Sequence, residues 1–510
     1  MRGTNHMGAW RRRTTAAVLA AAGIAGLAIP PAHALDSFLV GARGTAMSGA
    51  LTAAVDDETA QYYNPAAFGF FGRTAEDGGI LPMDNNNLGR KDWGLGADAG
   101  LGFRASGDMA EFADRLTDVD LDALGSTDDI TPRELSDLVQ LANDLAGVDN
   151  PGTGLLVNAN AGGGLRFGRY ALGARVFVQV ASFVSELDQD NLGFDMDTAQ
   201  AVSDINAGTD PGDANLDTFT EAQREQLIAA AVAGGATAAA ASAAVDRLDD
   251  AGRDANLSQD NLDQAVEVLA ATLENSGTGG NIDDNQTEVT VRGFGVLEVP
   301  LSAGYALNDH WSLGASVKFM RGRVYATTVR VFDEGAEDAL ESFDENFEES
   351  SNVGLDVGIM GRYRWFNVGL IGRNLNNPSF DGPTIDGREF GDVTVERQFR
   401  AGVAFIPFET LTLTLDLDLT AQDLELPNSQ TRQLAAGIEW DAFRVLALRA
   451  GAYKNLEESD ASPVVSAGLG LNLWAARLDL AAAVAPESTT VDGEDIPEEF
   501  HASLELSVDF

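Results

Sequence analysis

Carboxylates are the side chains through which this chain would do chemistry. Asp118-x-Asp120-x-Asp122 lies between two predicted helices, and Asp129 stands at the twelfth position of the run that starts at Asp118. This is the oxygen-ligand spacing of a helix–loop–helix calcium site, with Ala123 where the turn wants glycine and Asp129 where a bidentate glutamate closes the cage. A second run, Asp188, Asp190, Asp195 and Asp197, offers the same hard donors but carries Leu192 at a ligand position. Calcium is the one cofactor these patterns suggest. Other chemistries lack their reagents. The chain has no cysteine, which excludes disulfides, thiolate metal sites and thiol catalysis. Of four histidines only His310 and His501 lie beyond residue 34, and no pattern brings a serine to either, so no enzyme is expected. With 79 acidic and 33 basic residues the formal charge is -46, which repels nucleic acid.

The elements that would position these groups begin with an address. Arg11, Arg12 and Arg13 precede an apolar stretch from Ala16 to Ile29, Pro30 and Pro31 break it, and Ala32-His33-Ala34 has the small-x-small form of a cleavage site. Residues 1–34 read as a secretory signal, too short in its apolar part to span a bilayer. Its removal takes away four arginines and no acid, moving the charge from -46 to -50. No second apolar run of helix-spanning length follows.

From Trp93 onward the chain alternates apolar and polar residues with period two. Leu411, Leu413, Leu415, Leu417 and Leu419 alternate with Thr412, Thr414, Asp416, Asp418 and Thr420, which a helix would mix on one face. Fourteen such segments start near residues 92, 154, 170, 287, 310, 351, 366, 391, 410, 430, 444, 463, 475 and 499. Short connections between them take turns with long ones at 105–153, 185–286, 333–350, 376–390, 422–429, 456–462 and 487–498. An even strand number, short turns and long outer loops together predict an all-β fold: a 14-stranded antiparallel transmembrane barrel over 92–510, in the outer membrane of a Gram-negative cell. Trp93, Trp311, Trp365, Trp440 and Trp474 all fall at the short-turn end, as do Phe366, Phe405, Phe408, Phe443 and Phe510, which is the pattern of an interfacial aromatic girdle against outer-membrane lipid. A terminal aromatic closing an alternating strand is also the kind of signal the barrel assembly machinery reads.

The two longest loops, 105–153 and 185–286, hold a net charge of -28 and read as helical extracellular inserts: Thr131-Pro132-Arg133-Glu134 is a helix start, and Ala229–Leu248 is almost all alanine. They suit a solvated acidic cap or an exterior exposed to high salt. Residues 35–91 are a polar, small-residue segment of short helices, with Asp56 as a cap and Pro65 at a helix boundary. Too polar for lipid and too short to fold alone, this segment belongs in the lumen as a plug.

The run from Val40 to Phe68, with Gly41-Ala42-Arg43, then Asp56-Asp57, then Asn64-Pro65-Ala66, resembles the N-terminal plug of the FadL-type outer-membrane transport barrels. Secretion-associated barrels of the PorV type share this opening. The layout, with helical inserts, is most similar to the conjugal transfer TraF-like barrels, and Gly372-Arg-Asn-Leu-Asn-Asn-Pro-Ser-Phe380 is similar to an internal stretch of that group. The resemblance implies a plug-gated channel for a hydrophobic small molecule. The large acidic inserts depart from the transporters, and the alternative is a structural or interaction barrel whose loops bind a partner while nothing passes. If the Leu411 face meets lipid, the opposite faces place Arg175, Gln179, Arg292, Glu298, Asp356, Arg362, Arg373, Glu396, Arg400, Asp416 and Asp418 inside, as a lumen gate or as pairs that hold Arg43, Asp56 and Asp57. Their mixed signs argue against a simple ion pore.

Overall fold

The computed structural model describes residues 38–510 apart from 75–80, 82–83, 86–87, 108, 111–135, 137–138, 141, 145–146, 149–151, 189–197, 209–217, 256–261, 276–284, 331–345, 386, 443, 459–460, 474 and 492–493. Fourteen antiparallel strands close on themselves, the first pairing with the last. They are β1 (Trp93–Ser106), β2 (Gly154–Phe167), β3 (Tyr170–Glu186), β4 (Glu288–Ala306), β5 (Trp311–Arg330), β6 (Phe347–Arg362) and β7 (Phe366–Arg373), then β8 (Gln398–Phe408), β9 (Leu411–Asp418), β10 (Gln433–Ala442), β11 (Leu446–Asn455), β12 (Val464–Leu473), β13 (Ala476–Val484) and β14 (Glu499–Asp509). The predicted barrel is the observed one, strand for strand.

Alternation explains the closure. On β9 the side chains of Leu413, Leu415 and Leu417 are exposed while Asp416 and Asp418 are buried, the reverse of a soluble protein. Leucines outside suit hydrocarbon; carboxylates inside need partners, and the barrel wall leaves no unpaired edge. Trp93, Tyr170, Tyr305, Trp365, Phe408, Trp440 and Phe510 ring the short-turn end, exposed, and Trp93 stacks on Phe510 at 4.6 Å. Trp311 lies at the same end, partly buried; Trp474 and Phe443 lie outside the described residues. The wall is uneven in height, with β4 and β5 of 19 and 20 residues against 8 for β7 and β9.

The described residues of the second insert include four helices, α3 (Thr198–Gly208), α4 (Glu221–Ala233), α5 (Ala238–Ala255) and α6 (Leu262–Asn275). Thr220 and Gln223 make a reciprocal capping box on α4. The alanine run is not one helix: Gly234 and Gly235 divide it, Gly235 taking a φ of +111° that alanine would resist. The four helices share one apolar core with Met109 and Val139 of the first insert and with Val180, Val289 and Val291 from the upper ends of β3 and β4. The start signal at 131–134 lies outside the described residues.

Two further expectations are corrected. Asp56 caps no helix, because its carboxylate is taken by Arg43 at 2.7 Å; the neighbouring Asp57 instead accepts the backbone N–H of Thr59 at 2.9 Å. The eighth strand begins at Gln398, not near 391, so Glu396 lies in the preceding connection, off the barrel wall. That connection turns inward, since Phe380 and Val393 are fully buried and Phe380 packs on Phe294 of β4 at 5.1 Å between ring centres.

Candidate functional site: the plugged lumen

The plug is a chain of short turns because its residues are small. Helix α1 (Gly41–Ala46) leads to a tight turn at Met47–Gly49, and α2 (Ala60–Tyr63) follows. Asn64 then caps a 3-10 turn over Pro65–Phe70: its Oδ1 accepts Ala66 N–H at 3.0 Å, and proline at the first position loses no bond. The Nδ2 of Asn64 donates to Thr52 O at 3.0 Å and to Ile359 O of β6 at 3.3 Å, tying plug to plug and plug to wall.

The seat is made of glycine. Gly304, Gly314 and Gly358 stand opposite one another on β4, β5 and β6. A Cβ on Gly314 would meet Ala66 N and Pro65 C at 2.2 Å, one on Gly358 would meet Asn64 Oδ1 at 2.1 Å, and one on Gly304 would meet Gly69 N at 2.1 Å. Gly96, Gly164 and Gly173 form a second row on β1–β3 under Glu58 and Gln61, and Gly437 and Gly451 a third under Met47. These rows were legible in principle as inward-facing glycines close to the short turns, a signal the search for charge passes over.

Ion pairs complete the seat. Arg43 is bound to Asp56 and to Glu439 of β10, the latter through two bonds of 2.9 and 3.0 Å. Glu439 also takes Arg449 at 2.5 Å and Arg477 at 3.5 Å, and Asp479 takes the same two arginines at 2.6 and 2.8 Å. Lys91 spans Asp56 and Asp509 at 3.7 and 3.0 Å. The Arg362 guanidinium stacks 3.8 Å over Phe70 and bonds Asp84 at 2.7 Å. Arg400 grips Asp418 at 2.6 Å and reaches Gly49 O, while Asp416 accepts Thr52 N–H at 2.9 Å.

The remaining lumen residues named from the sequence lie higher or to one side. Arg175 faces Asp98 at 2.5 Å; Glu298 and Asp356 share Lys318 at 3.4 and 3.3 Å; Arg373 stacks 4.3 Å over Tyr62 of the plug; Arg292 bonds Glu425 at 3.2 Å and Gly391 O at 2.7 Å. Gln179 is buried on β3. Sequence reasoning missed Asp98, Lys318, Glu439, Arg449, Arg477, Asp479 and Glu505, all on polar positions of alternating strands, which the same parity count finds. Asp118, Asp120, Asp122, Asp129, Asp190, Asp195 and Asp197 lie outside the described residues; Asp188 Oδ2 accepts Gln286 N–H at 2.9 Å. His310 bonds Arg362 O at 2.9 Å, and His501 bonds Glu499 at 2.9 Å.

Burial, and then the charges of Asp57, Glu505 and Asp509, hold the Glu58 carboxyl well above its ordinary value near 4.5. The seated plug keeps a proton that the released plug loses, so seating is strongest below that ordinary value and weakens as pH rises through the raised one. A cysteine at Ala60, buried in the plug, should therefore react with maleimide faster at high pH in wild type than in Glu58→Gln. The ratio of the two rates cancels the pH dependence of the thiol, and a flat ratio would refute the linkage.

An interruption of the wall lies beside the plug. The register of β3 on β4 is the same on both sides, with Leu172 opposite Leu301 and Arg175 opposite Glu298, yet Gly173 and Ala174 do not pair with Pro300 and Val299. Pro300 has no N–H to give a ladder. Inside and above the plug on this side lies an apolar lining that includes Phe177, Phe294, Met320, Val324, Phe380 and Val393.

A family model described as "F plasmid transfer operon, TraF, protein" matches residues 61–418. Among solved structures, the Ralstonia pickettii toluene transporter TbuX is 14% identical, with a TM-score of 0.43 over 93% of this chain and 99% of that one. The P. putida toluene transporter TodX is 11% identical, with a TM-score of 0.43 over 92% and 98%. A Pseudomonas aeruginosa FadL homologue is 11% identical, with a TM-score of 0.39 over 95% and 100%. No curated protein matches the chain.

Proposed function

The chain belongs to the family described as F plasmid transfer operon, TraF, protein, and from that premise we propose that it is an outer-membrane barrel through which a hydrophobic small molecule passes, gated by its plug. The observation that carries this reading is the unpaired stretch Gly173–Ala174 against Val299–Pro300, where the ladder is interrupted and a buried apolar cluster lies behind it. A molecule entering from outside would cross Phe380 and Phe177 and leave sideways between β3 and β4, into lipid, without crossing the charged plug. The toluene transporters among the similar structures suggest small aromatic hydrocarbons as the first cargo to try.

A second reading, a barrel whose inserts hold a partner, draws support from the helical module being packed in one apolar core with the upper ends of β3 and β4. One experiment separates the two. Ala174→Cys with Val299→Cys places two thiols opposite each other by register in a chain without other cysteines. In a host lacking such transporters, labelled toluene uptake should exceed the empty strain, fall to its level when the disulfide forms, and return on reduction. Uptake indifferent to the lock rules out the lateral route. No uptake from an assembled wild-type barrel favours the partner-binding reading.

A further inference from the structure

A small cavity, about 30 Å³, lies where the plug meets β3 and β4, beside Gly173 and Pro300. It has room for about two water-sized groups, a head group and not a whole cargo molecule. Its cations are already engaged. Arg175 donates two bonds of 2.5 Å to Asp98, and Lys318 reaches Glu298, Asp356 and Asn374 at 3.4, 3.3 and 2.6 Å. Three of its acceptor atoms are not. Both carboxylate oxygens of Glu58 and the amide oxygen of Gln61 have no hydrogen-bond partner among the described residues, though the residues are only 3% and 7% exposed. The Gln61 amide lies 3.0 Å from where a Gly173 Cβ would be, at the break in the ladder.

Buried acceptors without donors are costly, and what relieves them is a donor. An ammonium has three donors and no acceptor, enough for both oxygens of Glu58 and for Gln61. A bound ammonium would take the place of the proton that Glu58 keeps in the seated plug: with that proton gone, Glu58, Glu298 and Asp356 outnumber Arg175 and Lys318 around the cavity, and the cation supplies the missing positive charge. Tyr62 and Phe177 add aromatic surface, which favours a cation further. A carboxylate would meet like charge, and a hydrocarbon would leave the oxygens of Glu58 and Gln61 unfilled.

We propose that this cavity is a head-group site for a primary ammonium, which makes an amine with an apolar body the cargo class favoured at the lateral exit. The word cargo rests on the proposed passage; the binding does not.

The test uses the purified full-length chain in lipid nanodiscs with labelled ethylammonium and propionate, ions of similar size and opposite charge, at equilibrium dialysis. Ethylammonium should bind saturably and propionate should not, and Glu58→Gln and Gln61→Leu should each weaken ethylammonium by about tenfold or more. Equal binding of the two ions, or affinity unchanged in the variants, overturns the site. Heat-modifiable migration on gels reports barrel assembly; should Glu58→Gln fail it, Gln61→Leu decides. A chain that binds ethylammonium without taking up toluene keeps this site and loses the passage. One that takes up toluene while failing to distinguish the two ions does the opposite.

Discussion

Glu439→Gln is expected to release the plug from an otherwise closed barrel. Glu439 is the shared counter-ion of Arg43, Arg449 and Arg477, and Arg43 and Arg449 are almost wholly buried. Glutamine keeps the shape and removes the charge, so three guanidiniums are left with Asp479 and Asp56 as their carboxylate partners. Removing one partner of a buried ion pair typically costs about 3–5 kcal/mol. The cost falls on the contact between α1 and β10, because Arg43 is the member that can leave: it sits on the plug, whereas Arg449 and Arg477 belong to wall strands held by their ladders. Protease digestion from the short-turn side should then cut the plug in the variant and spare it in wild type, with heat-modifiable migration unchanged. Glu439→Gln with a plug as protected as in wild type would show that the glycine seat alone holds it.

Gly314→Leu attacks that seat directly, and we expect it to leave an open pore. The first atom of any side chain there would stand 2.2 Å from the Pro65 and Ala66 backbone, and backbone cannot swing aside as a side chain can. Overpacking of this kind costs about 1–3 kcal/mol when neighbours adjust, and more where they cannot. The strand itself tolerates the change, since leucine suits a β-strand better than glycine. In planar bilayers the variant should conduct ions steadily where wild type is closed. Gly295→Leu is the control, because a Cβ on Gly295 would meet nothing closer than 4.0 Å. Equal conductance of Gly314→Leu and wild type would place the barrier elsewhere, at the inward-turned connection carrying Phe380.

How much of this was legible beforehand differs by element. The strands were, all but the eighth starting within a few residues of where they were expected, because alternation is a local property of a segment with hydrocarbon on one side and a lumen on the other. The resemblance of the layout and of Gly372–Phe380 to conjugal transfer TraF-like barrels agrees with the family match over 61–418. Glu396 was misplaced because a run of charged and β-branched residues before β8 reads like strand, while the inward turn that removes it depends on Phe380 finding Phe294.

By itself, then, the sequence determined that this chain forms a closed barrel of fourteen strands with charge on the inside, since period-two patterning and turn spacing are written residue by residue. Which charges meet was decided only by the tertiary structure. Arg43 and Glu439 are 396 residues apart, and only closure and strand register bring them to 2.9 Å. The same holds for the glycine seat, whose rows exist only once neighbouring strands align, and for the gap at Pro300, where one missing N–H matters because of what lies opposite and behind it.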